Sequence, residues 1–179
     1  TEKHLSDASL AEAVRGAFAD YSPTITPDPD TNSDTFTVYP LVDFHVGLLA
    51  WENETGENYD TNIAERVIKQ AMFDLIQSTP PSRKAVILGL GDLLHFDGYE
   101  ARTDRSGNVL DTDSRYPKIL RTALRIVKFV IETALARHAE VEIRVLPGNH
   151  DDRAALAVAL ALSEGYDSHP RVLVDDGPS

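Results

Sequence analysis

From residue 36 onward the chain alternates short apolar runs with longer stretches in which apolar residues return every three or four positions. FTVYPLVD (36–43), KAVILGLGD (84–92) and VEIRVLPG (141–148) read as strands, with Pro40 assigning the first to a sheet edge or a bulge. Residues 61 to 78 predict a helix carrying Ile63, Val67, Ala71 and Leu75 on one face and stopped by Pro80 and Pro81. Residues 117 to 137 predict a second helix, Pro117 suiting its first turn. A third runs from about Asp152 to Leu162 with Gly165 beyond its end, and RVLVDD near the C-terminus reads as a fourth strand. Strands alternating with helices predict a layered α/β fold on a parallel sheet. Ahead of it, residues 9 to 19 predict a short amphipathic helix: Ser9 and Glu12 have capping-box spacing, and Leu10, Val14, Ala17 and Phe18 share a face. YSPTITPDPDTNSD then reads as a linker, dividing the chain into a helix and linker over 1–34 and a main domain over 35–179.

Composition narrows the classes. At 179 residues and 42% hydrophobic, the chain is long and apolar enough for one domain with a real core. Against 29 Asp and Glu there are 17 Lys and Arg, a net charge of −12 that repels nucleic acid at long range unless cations or a basic patch reverse the field. With no cysteine, disulfides and thiolate metal sites are excluded. No apolar run approaches membrane-spanning length and TEKHLSDASL lacks a signal peptide's apolar centre, so the expectation is a soluble, cytoplasmic protein with no membrane partner.

The three internal strands end alike. The first closes on Asp43-Phe44-His45, the second on Gly91-Asp92, the third on Gly148-Asn149-His150. Carboxyl ends of parallel strands lie along one edge, where ligands bind, so Asp43, His45, Asp92, Asn149 and His150 are expected to converge. Strand alternation would point Asp43 and His45 the same way and Phe44 into the core. Carboxylate, imidazole and amide donors together suit divalent Mn, Fe or Zn. Two such ions about 3.5–4 Å apart clamp a phosphoryl group and generate a nucleophile at neutral pH. Singly, each motif reads as a turn or a helix cap, with Asp151 or Asp152 starting a helix. Their recurrence at successive strand ends is what favours a metal site.

Asp43-Phe44-His45-Val46-Gly47, Gly91-Asp92 and Gly148-Asn149-His150-Asp151 resemble the ordered motifs of the calcineurin-like metallophosphoesterases, over roughly residues 36 to 152. The resemblance implies a βαββα-type sandwich and a two-metal site for hydrolysing phosphate esters. It implies Asp43 and His45 on the first metal, Asp92 bridging both, Asn149 on the second, and His150 at the scissile phosphate or the leaving oxygen. Many family members carry a second Asp three residues after the bridging one; here His95 stands there, in GDLLHFDG. That spelling resembles the double-strand-break repair exonucleases and shifts the expectation to phosphodiesters, with nucleic acid among the candidate substrates and His95 as a second catalytic histidine. The plain alternative is that His95 caps a loop.

The polar stretch 97–116 lies beside the expected metals, and Arg102, Arg105 and Arg115 are candidate phosphate ligands, although a solvated loop explains them equally well. Trp51 suits base stacking, but pinning its loop to the core is the stronger expectation. GLGDLL lacks the third glycine of a dinucleotide fingerprint. DPDTNSDTFTVY lacks the glycine and glutamate of a calcium loop. After His150 only His169 remains, whereas the family has a further lone histidine and a Gly-His-x-His. With Thr1 in place of Met, this suggests an N-terminal fragment with an incomplete sandwich, weak metal binding, slow hydrolysis and an uncovered apolar surface. The rival expectation is a non-catalytic scaffold with an incomplete metal site.

Overall fold

β-Branched and aliphatic residues concentrate in four runs, and these form the strands β1 (Asn32–Leu41), β2 (Ser82–Leu90), β3 (Glu140–Leu146) and β4 (Val172–Asp175). All neighbours are parallel and the order across the sheet is the order along the chain, β1-β2-β3-β4. The computed structural model describes residues 7–19, 21, 22, 25, 28–98, 100–103 and 106–177. Five helices accompany the sheet: α1 (Asp7–Phe18), α2 (Glu52–Thr55), α3 (Thr61–Ser78), α4 (Tyr116–Leu135) and α5 (Asp152–Tyr166). None of the described helices is long and apolar enough to cross a membrane.

Sequential parallel strands joined by right-handed crossovers place their helices on one face. Tyr39, Leu41, Ala85, Ile87, Val141 and Ile143 project to that side and join one core with α3, α4 and α5. α4 is its centre, with Ile119, Leu120, Ala123, Leu124, Ile126, Val127, Val130 and Ile131 at 0% exposure. Each large aliphatic side chain so buried contributes roughly 1.5–3 kcal/mol before entropy. The opposite face carries Phe36, Val38, Leu90 and Leu173 at 45–70% exposure, beside the cross-strand pairs Lys84–Glu142 and Arg144–Asp175. Parallel sheets are ordinarily covered on both faces; here the described residues cover one.

Several expectations need correction. β1 ends at Leu41, so Asp43 and His45 lie past the strand, not within it. α3 has the predicted bounds, fixed by Asp60 accepting from the N–H groups of Asn62 (2.8 Å) and Ile63 (2.7 Å). Its buried stripe, however, is Ala64, Ile68, Met72 and Ile76, while Val67 and Leu75 are exposed. Two apolar stripes lie one residue apart on this helix, and spacing alone does not choose between them. Gly165 lies inside α5 instead of ending it. Its role is close approach: a Cβ there would fall 2.0 Å from the Phe18 ring.

That contact belongs to the docking of α1, which the sequence set outside the main domain. Ala17 joins the core, and Val14, Phe18 and Tyr21 pack against it. Tyr21 and Tyr166 both donate to the Glu132 carboxylate, and Lys128 lies 3.9 Å from the Tyr21 ring centroid. The side chains of Ser9 and Leu10, invoked for the cap and face of α1, lie outside the described residues.

Candidate metal centre

The chain leaving β1 and the chain leaving β2 continue side by side past the sheet. Asp43 N–H donates to Gly91 O, His45 N–H to Asp92 O (2.9 Å), Val46 N–H to Leu93 O (2.9 Å) and His95 N–H to Val46 O (3.1 Å). Along this ladder Asp43, His45 and Asp92 adopt left-handed backbone, with φ of 53°, 43° and 54°. Non-glycine residues seldom do so, and an observed cluster of such residues is a reason to suspect function. Left-handed backbone, not strand alternation, is what aims Asp43 and His45. Phe44 packs partly buried against the core between them.

A third loop, from β3, closes on the other two. His150 N–H donates to Asp92 Oδ1 (2.8 Å). Gly148 is required here, because a Cβ would lie 2.1 Å from that same Oδ1. Asp151 takes the N-cap position of α5 but makes no capping bond. Its carboxylate, at 0% exposure, turns inward and accepts from the N–H groups of Asp92 (3.0 Å), Gly148 (2.9 Å) and Leu94 (3.1 Å), sewing two loops together. Capping falls to Asp97, buried and accepting from Arg153 N–H and from Ala154 N–H (2.6 Å). Sequence reading missed Asp97; the one hint was its apolar company, Leu93, Leu94 and Phe96.

Two groups of ligand atoms result, each with every atom within 4.8 Å of the others: Asp43, His45 and Asp92; and His45, His95 and His150. The His95 and His150 rings stack at 5.4 Å and 15°, and His45 meets both edge-on at 5.4 and 4.8 Å. His150 Nδ1–H donates to the His95 carbonyl (2.8 Å), which fixes the lone pair on Nε2. Burial pushes His95 down to about 4 from the ordinary 6.5, with the neighbouring imidazoles adding to the effect. His45 is lowered mainly by burial and further by His150, against the opposing pull of Asp92 and Asp43. Both rings are therefore neutral at physiological pH, the state in which imidazole ligates metal.

Asn149 stands exposed at the head of the same loop, between Gly148 and His150. The proposed phosphate arginines fare differently. Arg102 turns onto its own hairpin, donating to Gly107 O (3.0 Å) and pairing with Glu100 at 3.8 Å. Arg115 is the exposed N-cap residue of α4, and Arg105 lies outside the described residues. Among the described residues neither Arg102 nor Arg115 forms an ion pair with the cluster. The later part of the polar stretch is nonetheless tied to the site: Leu49 N–H donates to Asp111 O and Asp113 N–H to Gly47 O, both 3.1 Å. Trp51 is 55% exposed and is not among the described residues packed on the core. Tyr59 pins the loop instead, packing on the core with its hydroxyl on Phe44 O (2.9 Å). His169 is buried beside Tyr166 at the amino end of β4, across the sheet from the cluster.

No family model, curated protein or solved structure matches the chain.

Proposed function

We propose that this chain is a divalent-metal-dependent phosphoesterase of the calcineurin-like type, acting on phosphodiesters. The observation that carries the reading is the convergence of Asp43, His45 and Asp92 at the carboxyl edge of one sheet, all three on left-handed backbone, with two further imidazoles alongside. The donor set fits the metal: carboxylate oxygens and imidazole nitrogens stand together, their ligand atoms within 4.8 Å of one another in each group. Asp43 and His45 would hold one ion, Asp92 would bridge, and Asn149 would serve the second. When bound, Mn, Fe or Zn ions supply Lewis-acid polarisation of a phosphoryl oxygen and a nucleophile at neutral pH.

The remaining chemistry belongs to the chain. His150, its Nδ1–H committed to the His95 carbonyl, exchanges protons at Nε2 and can deliver one to the leaving oxygen. His95, stacked on that ring, positions it and excludes water from one side. The net charge of −12 favours small phosphodiesters or short single strands over long duplexes. A scaffold holding one loose cation is the second reading, favoured by the ligand count: Asp43 and His45 are the only terminal ligands assigned to the first ion.

The test is hydrolysis of bis-(p-nitrophenyl) phosphate with Mn²⁺. The expected result is slow, chelator-sensitive release that falls by at least tenfold in Asp92→Asn. Release unaffected by chelator or by that substitution overturns the enzyme reading, and Mn²⁺ binding without turnover favours the scaffold.

A further inference from the structure

The cluster contains more imidazole than the two-metal reading uses as metal ligands. His95 is 7% exposed, and its Nε2 has no hydrogen-bond partner. Its other nitrogen, Nδ1, faces only His45 Nδ1, at 3.4 Å, the outer edge of hydrogen-bond range. Among the described residues that long contact is the one hydrogen-bond partner recorded for Nδ1, a poor one for a buried neutral ring, so its lone pair is open to a cation. The 3.4 Å separation has a second meaning. With zinc–imidazole bonds of about 2.0–2.1 Å, two nitrogens on one tetrahedral ion stand about 3.3–3.4 Å apart. His150 completes the set, its Nε2 lone pair fixed by the bond from Nδ1–H to the His95 carbonyl. That backing by a main-chain carbonyl is the usual support of a metal-binding histidine. The three rings each offer a ligand atom within 4.8 Å of the other two, with His45 and His150 half-buried beside the buried His95.

We propose that His45, His95 and His150 form a distinct cation site for a borderline-soft divalent ion of the zinc class, exclusive with the carboxylate site because both draw on the His45 ring. Three neutral nitrogens carry no charge to attract a hard ion but bind zinc, cobalt or copper well; Asp43 and Asp92 have the opposite preference. An imidazole that holds a cation through one nitrogen keeps its proton on the other, so His45 serves one ion at a time. The exclusivity rests on the metal-site reading of Asp43 and Asp92; the three-histidine site does not. Zinc seated there also withdraws His150 from proton transfer, so zinc acts as an inhibitor of manganese-dependent turnover.

The experiment measures Zn²⁺, Co²⁺ and Mn²⁺ binding to the full chain, to His95→Gln, to His150→Gln and to Asp43→Asn, with thermal melts confirming that each is folded. For wild type, one Co²⁺ should give the intense visible absorption of a four-coordinate nitrogen site, and Zn²⁺ should displace Mn²⁺ one for one. Both histidine variants should lose that absorption and at least tenfold in Zn²⁺ affinity while holding Mn²⁺ within about twofold, as befits ligands of one site only. Asp43→Asn should do the reverse. Zn²⁺ affinity and Co²⁺ absorption unchanged in both folded histidine variants overturn the proposal, as does an equal loss of both cations in every variant. Zinc binding that depends on His95 and His150 in a chain that takes up no Mn²⁺ supports the three-histidine site and defeats the two-metal reading instead.

Discussion

Both ends of the sheet bury histidine, and His138 at the amino end and His95 at the carboxyl end are held in opposite ways. At the amino end, His138 is 0% exposed and both its nitrogens are engaged: Nε2 with the Tyr39 hydroxyl and Nδ1 with the Ser82 hydroxyl, each at 2.8 Å. Beside it, Arg171 donates to the carbonyls of Leu135, His138 and Ala139. At the carboxyl end, His95 is nearly as buried and has an orphaned nitrogen, a ring nitrogen facing another, and neighbours on left-handed backbone. Burial lowers the pKa of both histidines. His169, also buried at the amino end, likewise has an orphaned Nε2 and a pKa lowered by burial, so what sets the carboxyl end apart is the pair of facing ring nitrogens and the left-handed backbone beside them.

Removing the carboxylate that sews the carboxyl end together should have the largest effect. Asp151→Ala strands three N–H groups and should cost roughly 4 kcal/mol in urea unfolding, with metal binding lost as the loops separate. A loss under 1 kcal/mol would show that the loops hold themselves.

Acid sharpens the contrast next. In the metal-free chain the unfolded His95 takes a proton near the ordinary 6.5, while the folded one waits until about 4. The stability that neutral His95 allows is thus fully present above pH 6.5, and falls by up to about 3 kcal/mol as pH drops to 4. The difference between wild-type and His95→Gln stability curves isolates this contribution. Parallel curves across that window would contradict it.

The same substitution at both ends is the direct comparison. His138→Gln should cost about 2 kcal/mol, because it disrupts paired buried groups, and leave Zn²⁺ and Mn²⁺ binding unchanged. His95→Gln, losing no good hydrogen bond, should cost less than about 1 kcal/mol. Equal costs would erase the distinction. Smallest of all, Asp92→Asn should shift stability by less than about 1 kcal/mol, since asparagine accepts left-handed backbone as readily as aspartate.

The sequence was most informative where local rules act alone. The bounds of the helix over Thr61–Ser78 follow from Asp60 at its start and Pro80 beyond its end. The convergence of Asp43, Asp92 and His150 follows from parallel strands that stop at matching heights. It was least informative where tertiary packing decides between equals. Nothing local distinguishes the Val67 stripe from the Ile68 stripe. Gly165 looked like a helix end because its real partner, Phe18, lies far away in sequence. Asp151 and Asp97 exchanged roles for the same reason: each carboxylate satisfies N–H groups on a segment more than fifty residues distant.

The left-handed backbone at Asp43, His45 and Asp92 bears on inheritance as well as on geometry. Backbone strain by itself would favour glycine at all three positions, by a fraction of a kcal/mol at each, up to about 1 kcal/mol. Aspartate and histidine stand there against that slope. If the proposed cation chemistry is what holds them, lineages released from it should drift first at these positions, towards Gly, while Gly148 and Asp151 persist because the fold itself needs them. A set of descendants sorted by residues 43, 45 and 92 would then separate chains that still bind cations from chains that only keep the shape.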